Sequence, residues 1–251
     1  MRRSIAVPVL LAMLSLPAYA AGPYYARGGY YAGTAGVWGV DQGNQLFDDG
    51  LHGDGAANDG VYGAYVISDQ PAGVYGFKLA NPDWSEVYPL NPSYPTSNAV
   101  VWTDGPGDTV HFTLDINAVQ DGWQPSSGAV ATDQFAPPGT MFEVIGSAPE
   151  TGSWNSGVAA ELVGSVWRTT LTIADPGSYA FKFRAVGTWD ICNFGIHYNM
   201  FIGDNFSHQT VNPNTTIRFE MDVATGRGRA LDVSSTPARS ASWGDLKQLY
   251  R

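Results

Sequence analysis

The chain has 251 residues, with 13 basic and 23 acidic side chains and only 14% charged residues. Setting aside residues 1–20, with Arg2 and Arg3, leaves 11 basic groups against 23 acidic ones; this net charge near −12 argues against a nucleic-acid binder, because phosphate contacts need clustered Lys and Arg. Thirty Gly, 16 Pro, 13 Tyr and 8 Trp exclude both a disordered chain, which would be poor in aromatics, and a helical bundle, which Gly and Pro would break.

Met1-Arg-Arg, the apolar run Ile5 to Leu16 and the small-x-small triplet Ala18-Tyr-Ala20 read as a bacterial-type secretory signal over residues 1–20. The run is shorter than the roughly 20 apolar residues that span a bilayer, so a membrane anchor is the weaker reading. No later stretch is long and apolar enough to cross, so no membrane insertion is expected and the chain reads as secreted. The lead Tyr24-Tyr-Ala-Arg-Gly-Gly-Tyr-Tyr suits an edge strand or a flexible aromatic segment.

The run from Phe47 to Tyr62 carries Asp48, Asp49, Asp54 and Asp59 within twelve residues. Four carboxylates so close repel one another unless a cation or backbone N–H groups offset them. Ca²⁺, which takes six to eight oxygen ligands, is the candidate cofactor, although the EF-hand spacing and its terminal Glu are missing. The alternative is that Asp-Gly pairs simply build turns.

Asp59-Gly-Val-Tyr-Gly-Ala-Tyr-Val-Ile and then Pro71-Ala-Gly-Val-Tyr-Gly-Phe-Lys-Leu-Ala alternate like strands, and about 104 residues later the pattern returns. There Ser165-Val-Trp-Arg-Thr-Thr-Leu-Thr-Ile precedes Pro176-Gly-Ser-Tyr-Ala-Phe-Lys-Phe. Gly73, Tyr75, Phe77 and Lys78 fall on Gly177, Tyr179, Phe181 and Lys182. Trp84 and Trp189 follow the two lysines, and His111-Phe-Thr-Leu-Asp-Ile matches Arg218-Phe-Glu-Met-Asp-Val. The fold class predicted is all-β: two tandem antiparallel Ig-like β-sandwiches, 24–124 and 140–233, joined by a linker at 125–139. Pro-Gly and Ala-Gly between paired runs predict hairpins.

Residues 234–251 form a tail in which Ser242 caps a short helix carrying Trp243, Leu246, Leu249 and Tyr250. Such a helix is marginal alone in water, so it either packs on the second sandwich or docks on a protein partner. Cys192 is the single cysteine, which excludes an internal disulfide and suggests a buried structural thiol.

Across about residues 141–232, the ordered segments Met141-Phe-Glu-Val-Ile-Gly, Gly152-Ser-Trp-Asn, Gly177-Ser-Tyr-Ala-Phe-Lys-Phe and Trp189-Asp-Ile-Cys-Asn-Phe-Gly resemble the starch-binding-like modules. These are appended to amylases and pullulanases and occur in tandem in starch-binding outer-membrane proteins. The resemblance implies that Trp154 and Trp189 form a sugar-stacking platform, with Lys182 and Asn193 as hydrogen-bonding partners. An indole face matches the C–H face of glucose, and the ring-edge hydroxyls need oriented polar groups. The alternative is that both tryptophans anchor loops to the core. The first repeat departs from the pattern: it has no G-x-W-N loop, and in its place stands the Asp-rich run, which resembles a loop of Ig-like domains in secreted bacterial surface proteins. Trp84 and Lys78 are the candidates carried over there, with Tyr88 and Tyr94 as a further aromatic face.

Nothing signals an enzyme. The acids outside the Asp-rich run are scattered, the four His lack metal spacing, and there is no nucleophile elbow or phosphate loop. Two functions compete: a secreted, non-catalytic carbohydrate-binding protein whose partner is an α-glucan or related polysaccharide, and a structural cell-surface or extracellular-matrix protein built from Ig-like spacers.

Overall fold

The structure, a computed structural model, describes residues 22–88, 98–118, 121–124, 127–196, 198–199 and 205–234. The signal segment 1–20, Tyr94 and the tail with its expected helix from 237 onward lie outside the described residues.

The first repeat contains β1 (Tyr24–Gly28), β2 (Gln45–Leu46), β3 (Val61–Ile67), β4 (Gly73–Ala80), β5 (Val87–Tyr88), β6 (Ala99–Thr103), β7 (Thr109–Ala118) and β8 (Ser127–Thr132). One sheet runs β2-β1-β4-β5, with β6 also on β4, and a second runs β3-β7-β8. The second repeat contains β9 (Phe142–Gly146), β10 (Val158–Ala159), β11 (Glu161–Val163), β12 (Val166–Ile173), β13 (Gly177–Ala185), β14 (Asn193–Gly195), β15 (Tyr198–Asn199), β16 (Phe206–Thr210), β17 (Thr215–Asp222) and β18 (Arg227–Asp232). Its sheets run β10-β9-β13-β14-β15, with β16 on β13, and β11-β12-β17-β18. Every pairing is antiparallel, and no α-helix occurs among the described residues.

The sequence repeat is a repeat of register. Phe77 faces Gly28 as Phe181 faces Gly146, Gly73 faces Thr103 as Gly177 faces Thr210, and Val61 faces Asp115 as Val166 faces Asp222. Two glycines hold equivalent places where backbones approach closely. A Cβ on Gly28 would sit 2.7 Å from the Gly76 carbonyl oxygen, and one on Gly146 would sit 2.5 Å from that of Ala180.

Two expectations change. The turns at Pro71-Ala-Gly and Pro176-Gly are not hairpins: β3 pairs with β7 and β12 with β17, so each turn carries the chain from one sheet to the other. A tyrosine braces each arch, Tyr75 donating its hydroxyl to the Pro71 carbonyl at 2.6 Å and Tyr179 donating to that of Asp175 at 3.0 Å. The span read as a linker, 125–139, holds β8, which pairs with β7, and then Phe135, which is buried.

Phe135 connects the repeats. Rings follow one another from Phe112 to Phe77 (5.0 Å), Phe135 (6.1 Å), Phe194 (5.9 Å), Phe142 (5.8 Å) and Trp167 (5.2 Å). The core is therefore one connected cluster through both repeats. Each such ring, fully buried, contributes on the order of 2–3 kcal/mol. A polar joint lies beside it: Arg227 donates two hydrogen bonds to the Asp121 carboxylate at 2.9 and 2.6 Å, and Gln124 bridges Gly228.

Candidate functional site

The outer face of the second repeat's β9–β13 sheet is polar but covered. Strand alternation turns Phe181 and Phe183 into the core and Lys182 and Arg184 outward. Lys182 is nevertheless only 6% exposed, and Arg184 is similarly buried. Glu143 faces Arg184 across the ladder, and the two form a buried ion pair at 2.7 Å. The same carboxylate oxygen accepts the Gly187 N–H at 3.2 Å, which ties the following loop to the sheet. The Arg184 guanidinium lies 4.4 Å from the ring centre of Trp189 in that loop.

Trp154 arrives from the other side. Gly152, Ser153 and Trp154 all have positive φ (84°, 50° and 65°), a left-handed run that costs about 1–2 kcal/mol at each non-glycine residue. Gly152 is required there, since a Cβ would collide with the Ser156 carbonyl. The Trp154 N–H reaches the Gly146 carbonyl at 2.9 Å, which fixes the loop to β9.

Trp154 and Trp189 are 37% and 38% exposed. With Lys182, Asn193 and Asn205 they line an open groove of about 320 Å³. Lys182 Nζ donates to Asn193 Oδ1 at 2.8 Å within it. All four residues singled out in the second repeat thus meet in one place, joined by Asn205, which has no motif to announce it. No carboxylate lines this groove among the described residues. The arrangement offers indole surface beside amide and ammonium groups, which suits a ligand with apolar faces and hydroxylated edges.

The first repeat holds a counterpart to Trp154. Trp38 has φ 65°, and its N–H points to the Gly28 carbonyl at 3.3 Å, the equivalent of Gly146. The G-x-W signal exists at Gly36-Val-Trp38, before the Asp-rich run rather than replaced by it. Trp84, also with positive φ (63°) and exposed, lies 6.3 Å from Trp38. Arg27 stacks on it: the Arg27 guanidinium sits 3.6 Å from the Trp84 ring centre. Arg27 also donates to the Trp38, Asn81 and Pro82 carbonyls, binding both loops together. Lys78 is buried on β4, opposite Arg27 in register, and burial lowers its pKa. Tyr88 packs toward the core against Tyr24, with ring centres 6.1 Å apart.

In the Asp-rich run every carboxylate serves the loop itself. Asp48 accepts the Asp59 and Gly60 N–H groups, and Asp59 those of Ala56 and Val61. Asp54, buried, accepts from Asp49 (2.7 Å), Gly50 (2.8 Å) and His52 (3.1 Å). Desolvation alone would raise its pKa, but these donors hold it below the usual carboxylate range. Asp49 accepts from His52 Nδ1 at 2.9 Å. Among the described residues no three His, Cys, Asp or Glu side chains converge as a metal ligand set. Cys192 is a buried free thiol, pushed by desolvation to a pKa of about 12.

No protein-family model matches the chain, and no curated protein does. Among solved structures it is similar to the crystal structure of SusF from Bacteroides thetaiotaomicron, at 15% identity and a TM-score of 0.32. The match covers 88% of this chain and 50% of that one, so the chain spans about half of that structure's length. At this TM-score the likeness adds nothing to the strand pairing, which stands by itself.

Proposed function

We propose that the protein is an exported, non-catalytic carbohydrate-binding protein, built from two Ig-like sandwich repeats, that holds an α-glucan or related polysaccharide across the Trp154–Trp189 groove. One observation carries this reading: two indoles, one of them in a strained left-handed conformation, stay more than a third exposed beside a polar floor. Such backbone strain persists only where the surrounding structure imposes it, and it clusters at binding sites. A sugar ring on an indole buries C–H surface without orphaning a hydroxyl, while Lys182, Asn193 and Asn205 supply donors and acceptors to the ring edge.

The first repeat favours a structural role for its own tryptophans. Trp38 and Trp84 pack near one another under Arg27, which binds their loops with three hydrogen bonds to backbone carbonyls. Affinity electrophoresis in gels of amylopectin, glycogen, cellulose and xylan tests the whole. Retardation in an α-glucan gel that a Trp154→Ala/Trp189→Ala variant loses supports it. No retardation in any gel leaves the surface-spacer reading.

A further inference from the structure

One buried carboxylate lies beneath both tryptophan loops without lining the groove between them. Glu143 Oε1 accepts from Arg184 Nε at 2.7 Å and from the Gly187 N–H at 3.2 Å, two residues before Trp189. The same bond aims the Arg184 guanidinium at the Trp189 ring. The other side of the Glu143 carboxyl group packs under Gly157, three residues after Trp154. A Cβ on Gly157 would collide with that carboxyl group, and Gly157 has no positive φ, so the close approach is what calls for glycine there. The row continues across the sheet: Arg184 faces Glu143 on one side and Asn193 on the other, and Asn193 accepts from Lys182 in the groove.

Two observations tie this pair to the groove more than to the fold. A buried ion pair is a poor source of stability, since the cost of desolvation offsets the attraction. The first repeat keeps the same strand register without it: where Arg184 faces Glu143, the matching positions hold Ala80 and Tyr25. We infer that Glu143 is a positioning residue of the groove, fixing Trp154 and Trp189 relative to each other while touching no ligand. The purpose of that placement rests on the carbohydrate-binding reading; the placement itself is read without a sugar. Binding groups are held within about 0.5 Å of a productive geometry only when a supporting shell locks them.

Fluorine NMR of the full chain labelled with 5-fluorotryptophan tests this, with the indoles assigned by single Trp→Phe changes and no ligand present. Gly157→Ala lies in the Trp154 loop, yet it should move the Trp189 resonance too, because the added methyl displaces the carboxylate that holds Gly187. Glu143→Gln keeps the shape and loses the charge; it should move both resonances. Trp102 and Trp123 should stay in place and report that each variant is folded. Affinity for maltoheptaose, measured by calorimetry, should fall at least about ten-fold in Glu143→Gln. A Trp189 resonance indifferent to Gly157→Ala overturns the inference, as does a Glu143→Gln variant that moves only one indole or binds as tightly as the wild type. Wild-type protein that binds no maltoheptaose, while both indoles move in the variants, sinks the carbohydrate reading and leaves the positioning role standing.

Discussion

The guanidinium of Arg184 lies 4.4 Å from the ring centre of Trp189 and is held there by Glu143 at 2.7 Å. One indole face is thus backed by protein, which leaves the other as the side on which a ligand can lie. Removing Arg184 strands a buried carboxylate, the one that also holds the Gly187 N–H. Arg184→Met should therefore cost about 3–5 kcal/mol in urea unfolding, because breaking a buried pair leaves an uncompensated charge. A loss below about 1 kcal/mol, the value of an exposed pair, would show that solvent reaches Glu143.

Trp154 separates the two meanings of an exposed loop tryptophan. If it anchors the loop to the core, shortening it is costly, as large-to-small core changes are, by about 3–5 kcal/mol. If it is kept for binding, its left-handed φ of 65° is a strain that glycine relieves. Trp154→Gly is expected to leave stability unchanged, or to raise it by up to about 1 kcal/mol, while weakening polysaccharide binding at least about ten-fold. Thermal melting and gel retardation of the same variant give both numbers.

The internal repeat was legible because Gly73, Tyr75, Phe77 and Lys78 recur at constant offset, and the last three each do the same work twice: arch brace, core, outer face. The meeting of Trp154, Trp189, Lys182 and Asn193 was legible through the resemblance of Gly152-Ser-Trp-Asn and Trp189-Asp-Ile-Cys-Asn-Phe-Gly to starch-binding-like modules. The arches were not, since Pro-Gly favours a reversal without saying whether the two strands pair. Strand β8 escaped because Ser127-Gly-Ala-Val-Ala-Thr alternates weakly and owes its place to β7. Trp38 was missed because it lies ten positions after Gly28, whereas Trp154 lies eight after Gly146. Arg27 was missed because the stacking cation in the second repeat comes from β13 and in the first from β1.

Asp54 is the keystone of the Asp-rich run: one buried carboxylate accepts three backbone N–H groups. Asp54→Asn keeps the shape but puts an NH₂ group where an acceptor is needed, and should cost about 1–3 kcal/mol. Since the loop's own donors already serve all four carboxylates, Ca²⁺ added to EDTA-treated protein should produce no calorimetric heat and no change in Tm. Heat of binding, or a higher Tm with Ca²⁺, would restore the cation reading for Asp48, Asp49, Asp54 and Asp59. The pKa of Asp54 is lowered in the folded state, so its stabilisation is present above the ordinary carboxylate pKa and fades as pH falls through the folded value.

His208 provides a pH dependence in a different window. Its ring stacks on Tyr179 at 5.4 Å and meets Phe181 and Phe219 edge-on, and neither nitrogen has a hydrogen-bond partner among the described residues. Desolvation lowers its pKa from the ordinary 6.5. Below pH 6.5 the unfolded chain binds a proton that the folded chain refuses, so stability is full above that pH and declines as pH falls toward the folded value. One such group sets a slope of at most about 1.4 kcal/mol per pH unit. Between pH 7.5 and 5.0 the comparison with a variant isolates the His208 contribution, because every other titrating group is common to both proteins. His208→Phe keeps an aromatic ring between Tyr179 and Phe219 and removes the titrating group. Its urea-unfolding free energy should fall less than that of the wild type over this range, by the amount His208 contributes. Equal slopes in the two proteins would mean that the ring accepts its proton in the folded state as readily as in the unfolded one.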